Sequence, residues 1–196
     1  MSLFAIPVSL AQLVLFVVLA IVFFALLINA GVRRTGETGA KRDNRSRLGI
    51  ILQALGIGFA GFGPARLSPG PLGVNGVAGC LGVIVLMGGA IWLFAASSRA
   101  LGRNWSVVAR TRSDHELVRR GPYARIRHPI YLGMLLFLLA LAVALGHYAQ
   151  LVVAVPLFLV GTTIRTRIED RLLEAKFGDE FRSYAGSTPA LIPKLG

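Results

Sequence analysis

Four long stretches of this 196-residue chain carry no charged side chain, and they constrain the fold more than any other feature. They cover residues 1–32, 48–65, 67–98 and 129–164. A helix that crosses a bilayer needs about 20 apolar residues. Charged residues make up 15% of the chain, whereas a soluble domain of ordinary composition has about 25%. An ordinary water-soluble domain is therefore excluded, and we predict an all-α integral membrane protein.

The lengths of these stretches predict five membrane-spanning helices. The last stretch is too long for one helix, because at about 1.5 Å per residue it would far exceed a hydrocarbon core of about 30 Å. We expect it to fold as a helical hairpin that turns near Gly146 and His147. The predicted helices cover residues 8–28, 48–62, 74–96, 130–145 and 151–163. We divide the chain into an N-terminal part, 1–66, with helices one and two, and a core, 67–196.

The basic residues predict the orientation. Of the 21 Lys and Arg residues, six lie in 31–47, eight in 97–128 and six in 165–196, which leaves Arg66 alone on the other side. Positive charge collects on the cytoplasmic side of short loops, so we expect the N-terminus outside and the C-terminus in the cytoplasm. This distribution accounts for the net charge of +12 without a nucleic-acid partner.

The cysteine and histidine content gives no sign of a metal centre or a disulfide framework. The chain has one cysteine, Cys80, which rules out a disulfide framework, a structural zinc site and Cys-x-x-Cys chemistry. His115, His128 and His147 fall in separate segments. We therefore predict no bound metal.

Polar and aromatic residues concentrate in two predicted cytoplasmic segments, 99–131 and 165–185. Pro129 suits the first position of a helix, where its missing N–H costs nothing. His128 would then lie beside free backbone N–H groups that attract anions, with Tyr131 inside the first turn. Arg165 and Glu169 are four residues apart and share one helix face. From the residues alone, an interfacial belt of aromatic and basic side chains and a simple ion pair remain open alternatives.

Taken together, these motifs resemble the isoprenylcysteine carboxyl methyltransferase and phospholipid methyltransferase family of integral membrane enzymes. The resemblance covers about residues 80–196 and rests on the runs Leu-Val-x-x-Gly-Pro-Tyr, Arg-His-Pro-x-Tyr-x-Gly and Arg-x-x-x-Glu. It implies S-adenosylmethionine as methyl donor, S-adenosylhomocysteine as product, a lipophilic methyl acceptor from the bilayer, and Arg165 as the catalytic residue near that acceptor. The cofactor-binding residues that it implies are His115, Glu116, Leu117, Val118, Tyr123, His128, Pro129, Ile130, Tyr131 and Glu169.

The acceptor is less well specified than the cofactor. The phospholipid enzymes have an acidic pair at the glutamate position, which is Glu169-Asp170 here, but their Gly-x-Gly motif has no convincing counterpart. We therefore expect a carboxyl acceptor of the isoprenylcysteine type, with a phospholipid amine or a small thiol as alternatives. A nicotinamide-dependent membrane reductase similar to the sterol reductases, or a scaffold without activity, are the alternatives from other classes.

Overall fold

The computed structural model describes residues 6–32, 41–42, 46–68, 73–102, 110–111 and 116–192. Within these residues the chain is helical apart from connecting segments and one pair of two-residue strands. The helices are α1 (Leu10–Val32), α2 (Ser46–Ala60), α3 (Val74–Leu101), α4 (Pro129–Leu145), α5 (Leu151–Phe177) and α6 (Asp179–Ser187). Single 3-10 turns cover Gly121–Ala124 and Tyr148–Gln150. The strands β1 (Lys41–Arg42) and β2 (Arg110–Thr111) pair antiparallel.

Three helical segments are long and apolar enough to cross a membrane: Leu10–Val32, Val74–Leu101 and Tyr148–Phe177. Helices α2 and α4 are also apolar but have only 15 and 17 residues. Many large apolar side chains on the helices are exposed, including Val85 of α3 and Val152 of α5, as expected of a surface that faces lipid. The prediction of a helical membrane protein is confirmed. The number of spans and the division of the chain at residue 66 stay predictions.

The predicted helical hairpin is confirmed. Helix α4 ends at Leu145, and Gly146 follows with φ +70° and ψ +23°, a left-handed conformation that suits glycine. Helix α5 begins at Leu151 but does not end near residue 163 as predicted, because it continues to Phe177. The first charged residues mark the limit of an apolar span. Arginine, leucine and glutamate are nevertheless good helix formers, so the helix continues until Gly178 caps it.

The helices pack in pairs, with α1 against α3, α2 against α5, and α3 against α4. The α1, α3 and α4 contacts include a cluster of buried aromatic rings, in which Phe23 lies 5.1 Å from Phe137 and 5.4 Å from Phe94. Buried Gln12 of α1 donates through Nε2 to the carbonyl oxygen of Val143 at 2.6 Å. This hydrogen bond ties α1 to the end of α4.

The two ends of the helix bundle are formed by different segments of the chain. At one end, the N–H of Ile6 donates to the carbonyl oxygen of Gly146 at 3.0 Å, and the N–H of Val8 donates to that of Arg66 at 2.8 Å. The first described residues therefore lie beside the α4–α5 turn. The start of α4 and the C-terminal half of α5 lie at the other end, where the polar residues of the predicted site meet.

Candidate functional site

Glu169 lies at the centre of a polar cluster built from the start of α4 and the C-terminal half of α5. Its Oε2 is 3.3 Å from Nδ1 of His128. Its Oε1 accepts a hydrogen bond from the hydroxyl of Tyr131 and lies 3.8 Å from Nη2 of Arg165. Three side chains therefore surround this carboxylate. His128 and Tyr131 come from the start of α4, and Arg165 comes from the preceding turn of α5.

His128 bridges two carboxylates. Its Nε2 lies 2.9 Å from Oδ1 of Asp170, while Nδ1 faces Glu169. Both ring nitrogens donate to oxygens only when the imidazole is protonated. Burial alone would lower the pKa of His128, but the hydrogen bonds and negative charges of Asp170 and Glu169 outweigh it and raise the pKa to about 9. His128 is therefore a cation at neutral pH.

Arg127 anchors the second carboxylate and the C-terminal residues. Its Nη2 is 3.0 Å from Oδ2 of Asp170, and Nη1 donates to the carbonyl oxygen of Ala185 at 2.9 Å. The backbone N–H groups of Arg127 and His128 each donate at 2.9 Å, to the carbonyl oxygens of Pro189 and Ala190. The segment after α6 thus fixes the backbone that leads into α4, and with it the position of His128.

Arg165 is buried, and its guanidinium group has defined partners. Nη1 donates to Oε1 of Gln53 in α2 at 3.0 Å, and the guanidinium carbon lies 4.9 Å from the centroid of the Tyr131 ring. Its distance of 3.8 Å from Glu169 is that of an ion pair without a direct hydrogen bond. Because a buried charge is costly unless it has polar partners, these contacts are needed to keep the guanidinium inside.

Tyr123 lies in the 3-10 turn Gly121–Ala124 and is buried against the same cluster. Its carbonyl oxygen accepts a hydrogen bond of 2.6 Å from the hydroxyl of Tyr184 in α6. Burial and the nearby charge of Glu169 raise the pKa of the Tyr123 hydroxyl well above its usual value. The hydroxyl therefore stays neutral and able to donate.

The structure brings together five of the residues predicted from the sequence: Tyr123, His128, Tyr131, Arg165 and Glu169. The other predicted residues lie in different surroundings. Glu116, Leu117 and Val118 line a surface cavity of about 280 Å³ together with Arg119 and Arg120. Pro129 is the first residue of α4 and is buried, and Ile130 packs against the aromatic core. His115 lies outside the described residues.

Two members of the cluster were not assigned from the sequence, and a third was given no role in the site. Arg127 and Gln53 were not assigned, and Asp170 was noted only as the second carboxylate of an acidic pair. A glutamine inside an otherwise apolar helix is a usable signal, because polar residues there commonly form hydrogen bonds between helices. Nothing in the sequence indicates that His128 contacts both acidic side chains.

The two carboxylates lie at the accessible edge of the cluster. The side chains of Glu169 and Asp170 are 23% and 25% exposed, whereas those of His128 and Arg165 are 5% and 7% exposed. A ligand that contacts this edge meets two acidic side chains. The arrangement suits a ligand that carries positive charge or hydroxyl groups.

The chain is similar to known proteins over this same region. The model of the phospholipid methyltransferase family matches residues 77–180, more than half of the chain. This region includes all members of the cluster except Gln53, but not the supporting residues in α6 and after it. The resistance protein CzcN of Cupriavidus metallidurans is 35% identical over 104 residues, 53% of this chain and 48% of its own length.

Two yeast enzymes are also similar. The protein-S-isoprenylcysteine O-methyltransferase of Schizosaccharomyces pombe is 30% identical over 89 residues, 45% of this chain and 38% of its own length. That of Saccharomyces cerevisiae is 29% identical over 119 residues, 60% of this chain and 48% of its own length. The chain therefore matches just under half, or less, of each relative.

Proposed function

The chain belongs to the phospholipid methyltransferase family, and from this premise we propose that it transfers a methyl group from S-adenosylmethionine to a lipophilic acceptor in the membrane. The family assignment confirms the resemblance found in the sequence. The proposal is supported by the cluster around Glu169, whose members other than Gln53 lie inside the matched region.

The charge and exposure of the cluster fit the proposed methyl donor. S-Adenosylmethionine carries an ammonium group and hydroxyl groups, and the partly exposed side chain of Glu169 ends in a carboxylate that could accept hydrogen bonds from either. His128 and Tyr131 hold this carboxylate in one orientation before a ligand arrives, which lowers the cost of ordering it on binding. When bound, S-adenosylmethionine supplies an electrophilic methyl group on a positively charged sulfur.

The protonation of His128 favours a carboxylate as methyl acceptor. An amine or a thiol must lose a proton when it is methylated, and His128 is already protonated at neutral pH because its pKa is about 9. A carboxylate acceptor is ionised at neutral pH and needs no base. Its oxygen forms the new bond to the methyl carbon while the bond from that carbon to sulfur breaks and sulfur keeps the electron pair. The protonated state of His128, together with the buried positive charge of Arg165 beside Glu169, supports a carboxylate acceptor.

Arg165 is suited to orient such an acceptor. Its guanidinium binds carboxylates in a planar, two-point geometry, and it lies one helical turn before Glu169, toward the apolar part of α5. We therefore assign Arg165 to the acceptor and Glu169 to the methyl donor. Rate acceleration would come mainly from holding the two reactants in line. We further propose that this end of the helix bundle faces the cytoplasm, as the distribution of Lys and Arg predicts.

The test is methyl transfer in nanodiscs with tritium-labelled S-adenosylmethionine and separate acceptors. We expect N-acetyl-S-farnesylcysteine to yield a product that releases labelled methanol in base, as a methyl ester does, whereas its carboxamide is inert. Base-stable label in phosphatidylethanolamine or in a small thiol would instead support the amine or thiol alternative. Stabilisation by NADPH and not by S-adenosylhomocysteine would support a reductase, because a ligand of the folded state raises its Tm.

A further inference from the structure

We propose that Gln53 of α2 is a positioning residue that sets the direction of the Arg165 guanidinium, so that α2 helps to form the acceptor end of the site. The catalytic role of Gln53 in this inference rests on the proposed function. The contact itself does not depend on that function. Helix α2 precedes the region that the family model matches, residues 77–180.

Both ends of the Gln53 amide are engaged. The side chain is buried, its Nε2 donates to Oγ1 of Thr162 at 2.8 Å, and its Oε1 accepts from Nη1 of Arg165 at 3.0 Å. If the amide were rotated by half a turn, its NH₂ group would face the guanidinium, and two donors would oppose each other. Arg165, which can only donate, therefore selects the orientation in which the amide oxygen faces it, and the Thr162 hydroxyl anchors the amide by accepting from its NH₂ group.

Two glycines allow α2 to approach closely enough for this contact. A Cβ atom on Gly161 would lie 2.7 Å from the carbonyl oxygen of Gly49 and 2.9 Å from the backbone nitrogen of Gln53. A Cβ atom on Gly49 would meet the Cγ of Arg165. Small residues at a helix contact in a membrane permit this kind of backbone approach. The backbone that carries Gln53 is thus held directly against α5.

A neutral partner suits the proposed role of Arg165. Gln53 fixes Nη1 without cancelling the positive charge, while Nη2 points toward Glu169 and the guanidinium lies over the ring of Tyr131. A glutamate at position 53 would fix the guanidinium equally well but would neutralise it. A buried glutamine in an apolar helix is costly, and orienting a cation for an anionic acceptor gives it a function.

The test compares Gln53→Leu with Gln12→Leu, which removes another buried glutamine whose Nε2 also donates across a helix contact. Three quantities are measured: kcat/KM for N-acetyl-S-farnesylcysteine, the Kd of S-adenosylhomocysteine, and the rate at which phenylglyoxal modifies Arg165, followed by peptide mass spectrometry. For Gln53→Leu we expect a loss of at least tenfold in kcat/KM, a Kd within twofold of wild type, and modification several-fold faster. For Gln12→Leu we expect a lower Tm and no change in these three quantities.

A second variant keeps the proposal testable if Gln53→Leu does not fold. Thr162→Val removes the hydroxyl that accepts from the NH₂ group of Gln53 and so loosens the amide, and we expect the same pattern of changes at about threefold. Equal losses in Gln53→Leu and Gln12→Leu, or an unchanged modification rate of Arg165 in the Gln53 and Thr162 variants, would overturn the positioning role. If the wild-type protein methylates none of the acceptors, the proposed function fails, and the modification rate still decides whether Gln53 positions Arg165.

Discussion

Nε2 of His128 donates to Oδ1 of Asp170 at 2.9 Å, which joins the residue that caps α4 to the C-terminal half of α5. Nδ1 of the same ring faces the carboxylate of Glu169. A protonated histidine therefore holds two adjacent acidic residues in place. The pH dependence of stability and the proposed choice of a carboxylate acceptor both depend on this relationship.

The stability of the protein should fall at high pH because of His128. Its pKa in the folded protein is about 9, above the ordinary value of 6.5, so its contribution is complete below about pH 6.5 and is lost as the pH rises through about 9. The difference corresponds to on the order of 3 kcal/mol. We expect Tm to fall between about pH 7 and about pH 10, and we expect His128→Gln to lose most of this dependence.

The matched control for this measurement is His147→Gln. His147 is also buried but lies at the opposite end of the bundle, near the carbonyl oxygens of Ala60 and Pro64. We expect this variant to keep the fall in Tm at high pH. A His128→Gln variant with the wild-type pH profile would show that the bridge does not stabilise the fold.

The close contact between α2 and α5 predicts different effects of two glycine substitutions in α2. A Cβ on Gly49 would meet the Arg165 side chain and would lie 2.7 Å from the carbonyl oxygen of Gly161, whereas a Cβ on Gly58 would have no atom within 4 Å. Overpacking costs about 1–3 kcal/mol, so Gly49→Ala should lower Tm and reduce turnover. Gly58→Ala should leave both unchanged or raise Tm slightly, since alanine is the better helix former. Equal Tm values for the two variants would contradict this helix contact.

The proposed orientation is tested by the accessibility of single cysteines introduced in a Cys80→Ser background. We expect cysteines at positions 40 and 112 to react from the cytoplasmic side and those at positions 70 and 148 from the opposite side. Tyr148 lies beside the α4–α5 turn, away from the Glu169 cluster. Labelling of position 112 from outside would reverse the orientation and move the site away from the cytoplasm.

Substitution of Arg165 should reduce turnover without changing the affinity for the methyl donor. Arg165→Ala removes the group assigned to the acceptor, and we expect kcat/KM for N-acetyl-S-farnesylcysteine to fall at least tenfold, since a hydrogen bond to a charged group contributes about 1.5–3 kcal/mol. Arg165→Lys should recover only part of the loss, because an ammonium group lacks the two-point geometry of guanidinium. Full activity in the alanine variant would leave Arg165 with the structural role of an ion pair.

Five of the residues singled out in the sequence lie together in the structure, but the sequence did not predict the contacts among them. Tyr123, His128, Tyr131, Arg165 and Glu169 were assigned from motifs, and they meet because the hairpin returns α5 to the start of α4. The hairpin itself was predictable, since its length and the glycine at its turn are visible in the sequence. These features depend on local patterns.

Contacts between distant segments were not predictable in the same way. Gln53 and Arg165 are 112 positions apart, and no periodicity relates α2 to α5. His128 was predicted to lie beside backbone N–H groups that attract anions, because the sequence places it at a helix start but gives no distance to the acidic pair. The end of α5 was placed too early, since charge limits a membrane span and does not limit a helix.

The central claim is that Glu169 holds the methyl donor while Arg165 serves the acceptor. The most direct measurement is a calorimetric titration of S-adenosylhomocysteine into the wild-type protein, Glu169→Ala and Arg165→Ala. We expect the wild type and Arg165→Ala to bind with Kd values within twofold of each other, and Glu169→Ala to bind at least tenfold more weakly, because one charge-assisted hydrogen-bond acceptor is lost. Equal affinities in all three proteins, or no binding to the wild type, would contradict the claim.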